Sequence, residues 1–346
     1  MTTTREDADD LSVLRALYAA SGFCASSELR RRTALSPRDL RASFDRLRAA
    51  GCRFDHHPQL GFRLVEAGIG VVRLWLAEAL GDAEEAREAI HVYRRTSSTQ
   101  DRAREALQGG TPPAVVLADA QTAGRGRLGR RWDAPAGSSL LLTLPLPVTR
   151  DHGESVDPVT ALVAVALVQA IRAVTPARPA LKWPNDVMLA TGGDAGLGPA
   201  HGARDAKLAG ILVERAAARR GGDHWLVGIG LNVNRPAAPH GGGTPGAAWL
   251  SDACGGPLDR LPLLTEIVRQ ARRWTARNDP DRALGHWRQW CTTLGRRLTF
   301  RTGGRTVTGD VLDVDLHAGL IVRTDTGELT HLPAATTTVA ADAAGP

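Results

Sequence analysis

The chain has 346 residues, 43% hydrophobic and 23% charged, which suits a globular protein of two or three domains and excludes a disordered or collagenous one. The longest apolar run, Val159–Val168, is about half the ~20 residues of a membrane span, and the opening MTTTREDADD has no apolar stretch of the secretory kind. Cys24, Cys52, Cys254 and Cys291 form no CxxC and no metal spacing with histidine, which points to a reduced cytoplasmic chain with no metal fixed by the protein alone. The net charge of +6 is modest, but of 43 basic residues only Lys182 and Lys207 are lysines. In so arginine-rich a composition, a surviving lysine marks a place where a compact point charge suits and a planar fork does not, unless chance alone kept it.

Residues 1–66 read as a small helical module. Leu11, Leu14, Leu17 and Tyr18 recur at helical spacing, and a second short helix opens at Ser26–Ser27 and carries Leu29. Ser36, Pro37 and Asp39 give an N-cap, a first-turn proline and a capping acid ahead of Leu40, Phe44 and Leu47, with Gly51 as the stop. CRFDHHPQLGFRLV then reads as two short strands around a turn. Three helices and a hairpin predict a winged helix-turn-helix. Between residues 28 and 63 nine arginines face four acids, so positive charge gathers on the second and third helices and the wing. Arg38, Arg41, Arg46 and Arg63 are the candidate DNA-binding residues; Asp39 and Asp45 on the same helix equally suit a module used only for packing.

Residues 67–90 form a helical connector with an acidic end, and 91–293 a mixed domain. Its strand-like runs are 114–119, 139–144, 208–214 and 224–234; its helical stretches are 158–175, 261–275 and 280–292. The Gly/Ala-rich stretch 191–205 has no periodicity and reads as a mobile insertion. Residues 294–346 carry four or five short alternating runs broken by GG, HAG and DTG, which predict a small β-barrel of the SH3-like kind.

GRGRLG at 124–129 matches the glycine pattern of dinucleotide folds, but Pro135 and Gly137 follow where the phosphate-binding helix would have to begin. No P-loop is present. What remains is a glycine loop bearing Arg125, Arg127, Arg130 and Arg131, able to close over an anion or simply to be solvated. Beyond it come KWPND (182–186), KLAGILVE (207–214) and GIGLNVN (228–234). KWPND alone could be a capped tight turn.

Taken in this order and spacing, GRGRLGRRW, KWPND, KLAGILVE and GIGLNVN closely resemble the biotin protein ligases, and the N-terminal module resembles that of the bifunctional ligase and biotin-operon repressor subgroup. The resemblance implies an α+β protein: a winged helix, a central class II aminoacyl-tRNA-synthetase-like domain with a mixed sheet, and the C-terminal barrel. It implies that biotin and ATP, the latter with Mg²⁺, give biotinyl-5′-adenylate, which then acylates a lysine of a biotin carboxyl carrier domain. Operator DNA and a second copy of the chain are further implied partners; a membrane is not. A ligase with a vestigial winged helix and a biotin-sensing regulator without ligation stay as alternatives.

A carboxylate attacking a phosphate needs fixed cations where the two meet, and Arg125, Arg127 and Lys207 match the family there. Asp186 matches the group that orients or deprotonates the acceptor lysine. Ser98, Thr99 and Gln100 match a biotin-contacting Ser-Thr-Asn segment with Gln in place of Asn, and Ser98 with Asp101 also fits a capping box. Gln121 and Gly124 complete the biotin set. Lys182, Asn185 and Asn232 fall on the adenylate side, with Trp249 where the family stacks an aromatic on adenine.

Overall fold

A computed structural model describes residues 4–80, 88–148, 156–191, 204–219, 221–237 and 247–342. Most of the 191–205 stretch read as an insertion, and the acidic end of the connector, lie outside the described residues.

The N-terminal module is built as its caps dictate. Helix α1 (Arg5–Ala20) begins with a Thr4–Asp7 capping box, and α2 (Ser26–Thr33) carries the buried Leu29. Helix α3 (Pro37–Ala49) starts where Ser36 Oγ accepts from Asp39 N. Strands β1 (Arg53–His57) and β2 (Gly61–Glu66) form an antiparallel hairpin. Phe44 of α3 packs against Phe54 and Phe62 of the hairpin, with ring centroids 5.0 and 4.4 Å apart. Gly61 has φ +92°, and a Cβ there would lie 2.1 Å from the Cys24 carbonyl oxygen, so the hairpin can close on α2 only through a glycine.

Helix α4 (Ile69–Ala79) leads to a seven-stranded sheet. Its strands are β3 (Ile90–Tyr93), β4 (Val115–Ala118), β5 (Ser139–Pro147), β6 (Ala180–Lys182), β7 (Asp186–Thr191), β8 (Arg204–Ala217) and β9 (Asp223–Asn232), in the order β3-β4-β5-β9-β8-β7-β6. Only β3 and β4 pair in parallel, so the sheet is mixed. The period of two along each strand sorts the faces. Val115, Leu117, Leu140, Leu142, Val227 and Ile229 join the main core with α6 (Val156–Val174) and α8 (Arg260–Arg277). Val116 and Leu226 face the other way, against Ala103 and Leu107 of α5 (Thr99–Gly109). By length and hydropathy Asp157–Val174 could cross a membrane, which the shorter run Val159–Val168 does not suggest. Here it is the central core helix, its residues 162–168 all buried.

After the short α7 (Leu250–Ala253) and α9 (Pro280–Trp290) comes a five-stranded antiparallel sheet. It comprises β10 (Arg297–Thr302), β11 (Arg305–Asp315), β12 (Gly319–Thr324), β13 (Leu329–Leu332) and β14 (Thr337–Asp342), with β14 returning to pair with β10. The N-terminal module docks through the start of α8. Tyr18 Oη donates to Asp259 Oδ2 at 2.6 Å, and Trp75 Nε1 to Thr265 Oγ1 at 3.1 Å. Arg260 links Glu66 of β2 (3.3 Å) to Asp119 at the end of β4 (2.9 Å).

Candidate active site

On the α5 face of the sheet, Gly210, Gly228 and Gly230 leave the backbone of β8 and β9 bare. A cavity of about 210 Å³ opens over them, walled by the start of α5, the glycine loop 124–132 and the turn before β7. The indole of Trp132 lies across this floor: a Cβ at Gly230 would come within 2.4 Å of Trp132 Cε2, and one at Gly210 within 3.1 Å of Cζ3. Trp132 Nε1 is buried without a partner. At Gly228 the neighbour is the Gln100 amide, 3.0 Å from such a Cβ.

Positions three apart in a strand normally lie on opposite faces. Lys207 and Gly210 nevertheless share the cavity, because the β7–β8 register shifts between Val187 and Met188. The shift leans the Lys207 side chain over Gly210, with Nζ 5.5 Å from the Trp132 ring centroid and 2.6 Å from Asp186 Oδ1. The last is an ion pair rather than a directed hydrogen bond, since Oδ1 meets no donor at hydrogen-bonding angles. Asp186 opens β7 directly after the turn with the cis Trp183–Pro184 peptide. Asn185 holds that turn to β8: its Nδ2 donates to the Ile211 carbonyl at 2.7 Å and its carbonyl accepts from Ile211 N at 3.0 Å.

The glycine loop is anchored by its arginines. Arg127 donates to Asn185 Oδ1 at 3.3 Å and to the carbonyl of Ala334, in the 3-10 turn Ala334–Thr336 between β13 and β14. Burial pulls its guanidinium below its ordinary pKa, while the nearby Asp157 and Asp186 oppose that fall. Arg125 Nη2 stands 2.8 Å from Asp101 Oδ1, a pairing that raises the guanidinium and lowers the carboxyl. No helix follows the loop: a 3-10 turn at Arg127–Gly129 leads toward β5, as the proline and glycine require. A floor of small residues, a row of cations and one paired carboxylate can therefore hold a flat apolar ligand whose anionic end reaches Lys207.

The biotin/lipoate A/B protein ligase family matches residues 92–232. The bifunctional ligase/repressor BirA of Bacillus spizizenii is 30% identical over 242 residues, covering 67% of this chain and 68% of that protein. The biotin--[acetyl-CoA-carboxylase] ligase of Mycobacterium tuberculosis is 31% identical over 258 residues, covering 70% and 89%. The chain belongs to the biotin protein ligases. The solved biotin protein ligase of Aquifex aeolicus in complex with biotin and ATP shares the fold, with a TM-score of 0.58 at 21% identity over 72% of this chain and 97% of that one.

In this ligase the sequence-predicted residues separate into two groups. Ser98, Thr99, Gln100, Gln121, Arg125, Arg127, Asn185, Asp186 and Lys207 all line the one cavity. Thr99 N and Oγ1 donate to Gln121 Oε1 at 2.7 and 3.2 Å, which leaves the Gln121 amide nitrogen to face the cavity. Gln100 Nε2 ties the Leu212 and Leu226 carbonyls together (2.9 and 3.1 Å). The expected Ser98–Asp101 capping box does not form: Ser98 Oγ accepts from Gln100 N, and Asp101 turns to Arg125 instead. The second group lies around the cavity without lining it. Gly124 is where the Trp132 carbonyl crosses the loop, 2.3 Å from where a Cβ would sit. Lys182 is half-buried on β6, and among the described residues it makes no ion pair. Asn232 joins β9 to the Ala248 carbonyl at 3.2 Å and accepts from Ser139 Oγ. Trp249 is only 5% exposed, beside the undescribed stretch 238–246.

Trp132 received no role from the sequence beyond its place in the loop; the small residues opposite it, Gly210 and Gly230, are the signal that an aromatic has to lie there. On the N-terminal module, Arg38 and Arg41 of α3 are exposed and make no ion pair among the described residues. Arg46 is held by Asp10 at 2.7 and 3.0 Å, and Arg63 pairs with Asp55 while lying over Phe23.

Proposed function

We propose that this chain is an ATP-dependent ligase that joins biotin to AMP and then to a lysine of a biotin carboxyl carrier domain. The observation that carries this reading is the Lys207–Asp186 pair at the meeting of glycine loop, Asn185 turn and cavity floor. Biotin suits the cavity. Its fused rings would rest against the Trp132 indole that covers Gly210 and Gly230, with its ureido group among Ser98, Thr99 and Gln121 and its carboxylate pointing to Lys207.

In the first half-reaction a biotin carboxylate oxygen attacks the α-phosphorus of ATP, and the bond from that phosphorus to the bridging oxygen breaks to release pyrophosphate. Two anions have to approach, so Lys207, Arg125 and Arg127 act by supplying positive charge, Lys207 and Arg125 once the anions draw them from their carboxylate partners. Mg²⁺ enters as part of the ATP substrate. Closure of the glycine loop keeps water from the mixed anhydride. In the second half-reaction the acceptor amine attacks the biotinyl carbonyl and AMP leaves. The amine has to lose a proton first, and Asp186, released when Lys207 turns to the substrate anions, is placed to take it. Lys182 and Asn185 would serve the adenylate phosphate, with Asn232 and Trp249 supporting the adenine side.

Residues 1–66, 67–90, 91–293 and 294–346 are the corresponding units: winged helix, connector, catalytic domain and SH3-like barrel. Arg38 and Arg41, exposed and without an ion pair among the described residues, favour a winged helix that meets DNA phosphates over a vestigial one. The chain is then also a biotin-responsive repressor acting as a homodimer in the cytoplasm. Incubation with labelled biotin and a carrier domain tests the ligase: labelling is expected only with ATP and Mg²⁺. Labelling without nucleotide, or preference for lipoate, would overturn it. Retention of upstream promoter DNA that rises with biotin and ATP tests the repressor, and no retention under either condition would leave a ligase alone.

A further inference from the structure

Arg125 belongs to a closed ring of four charges, and the ring contains a residue the reaction scheme leaves unused. Asp101 and Arg104 stand on α5, Glu214 on β8 and Arg125 on the glycine loop. Arg125 Nη2 is 2.8 Å from Asp101 Oδ1 and 3.7 Å from Glu214 Oε2. Arg104 reaches the same two oxygens from the other side, at 3.5 Å to Asp101 Oδ1 and 2.8 Å to Glu214 Oε2. All four side chains are about one-third exposed, and only Arg125 lines the cavity.

We propose that Arg104 is a positioning residue that takes over Asp101 and Glu214 when Arg125 leaves them for the anionic group of the ligand. The proposal rests on Arg125 meeting a ligand oxyanion, as in the proposed function. In the arrangement described, Arg125 lines the cavity with its charge neutralised by Asp101 and Glu214. To serve a substrate carboxylate or phosphate it has to exchange one anionic partner for another. Without a second cation that exchange would strand two neighbouring carboxylates with no counter-charge, so Arg125 would be held back. Arg104 already touches both oxygens, so after Arg125 departs the two carboxylates still share one cation instead of none. The loop backbone on either side of Arg125 is held, Gly124 O accepting from Trp132 N at 3.0 Å and Gly126 N donating to Arg130 O at 2.7 Å, so the exchange falls to the Arg125 side chain.

Calorimetric titration of the full chain with biotin and, separately, with ATP tests this. Arg104→Met keeps the length of the side chain and removes its charge, and about three- to fivefold weaker binding of the ligand that Arg125 meets is expected, the scale of a partly exposed pair. Adding Glu214→Gln to the same chain should restore the affinity, because Arg125 then has one carboxylate fewer to hold it. Arg104→Lys should bind as the wild type does. Weakening confined to biotin identifies the carboxylate as the anion met by Arg125, and weakening confined to ATP identifies a phosphate; either supports the exchange. Unchanged binding in Arg104→Met, or a loss that Glu214→Gln fails to repair, would overturn it. Arg125→Gln separates the two layers. If it weakens a ligand while Arg104→Met does not, only the role of Arg104 falls; if it weakens neither, the reading of Arg125 falls and this proposal with it.

Discussion

Lys207 Nζ and Asp186 Oδ1 stand 2.6 Å apart across the register shift of β7 and β8, each about one-quarter exposed to the cavity. In the proposed reaction this one pair holds the cation for adenylate formation and the carboxylate for transfer. Neither would act while it holds the other, so substrate anions would have to draw Lys207 away before Asp186 is free. The two half-reactions then separate by mutation. Lys207→Arg keeps the charge, but its fork cannot sit over Gly210 as a point charge does, since a Cβ at Gly210 would already lie 3.3 Å from the ammonium. A loss of roughly 2–4 kcal/mol of transition-state stabilisation is expected in adenylate formation. Asp186→Asn should form adenylate and slow transfer to the carrier by about 100-fold or more, the scale of a general base. Pyrophosphate release and carrier labelling, followed in separate assays, check both. Equal losses in the two steps from each variant would break the assignment.

The second expectation concerns loop closure. Arg127 reaches Asn185 in the KWPND turn and Ala334 in the 3-10 turn between β13 and β14, so a single guanidinium joins three parts of the chain around the cavity mouth. Arg127→Gly removes both links and adds backbone freedom beside Gly126 and Gly129. Adenylate should leak into solution, and labelling of lysines on unrelated proteins should rise with it. Asn185→Ala breaks one of the two Arg127 links and also the Asn185 bond to the Ile211 carbonyl, so it too should leak adenylate while leaving the Arg127–Ala334 link in place. Release of labelled biotinyl-adenylate through a filter is the measurement, and wild-type retention in Arg127→Gly would return the loop to solvated charge.

How much of this was legible in the sequence depended on the kind of residue. Local signals carried well: Ser36 and Pro37 place the start of α3, and the apolar run at 139–144 places β5. The ligand loop was legible too, because Pro135 and Gly137 exclude the helix a dinucleotide site needs. Long-range pairings were not. Nothing near Arg125 in the chain announces Asp101 or Glu214, and charged side chains of one composition look alike whether solvated or paired. Arg46 shows this best: it reads as one more basic residue of α3, yet Asp10, 36 positions earlier, holds it. Trp249, 5% exposed, shows the same limit, since a buried aromatic suits both ordinary core and an adenine-stacking position and no local pattern separates the two.

The joint between the N-terminal module and the catalytic domain should be sensitive to alkali. Tyr18 donates to the half-buried Asp259, and burial beside that carboxylate raises its phenol far above the ordinary value of 10.0. A raised folded-state pKa gives stability that is fully present below pH 10 and lost as pH climbs further, because the unfolded phenol ionises and the folded one resists. Tyr18→Phe removes the bond and leaves Asp259 one donor short, at a cost of about 1–2 kcal/mol near neutrality. Above pH 10 the gap between variant and wild type should narrow. Thermal melting of both chains between pH 7 and 11 follows it, and a gap that stays constant or widens would show that the phenol is not protected.

The four arginines predicted to meet DNA should not behave alike. Arg38 and Arg41 are exposed on α3 and make no ion pair among the described residues, so their replacement by alanine removes only charge available to phosphate. Affinity for promoter DNA should fall with little dependence on sequence, and the logarithmic salt slope should drop by about one for each phosphate no longer neutralised. Arg46 is different. Its guanidinium is bidentate on Asp10, a carboxylate only 8% exposed within α1, so Arg46→Ala leaves a buried charge unpaired. The expected cost is about 1–3 kcal/mol of stability in the module, larger than that of an exposed arginine. Arg63, paired with Asp55 across the wing, should fall between them. Salt-dependent DNA retention and thermal melting, measured on the same four variants, separate the two effects. If Arg46→Ala changes the salt slope and leaves melting untouched, then the Asp10 pair opens in solution and Arg46 joins Arg38 and Arg41 on the phosphate face.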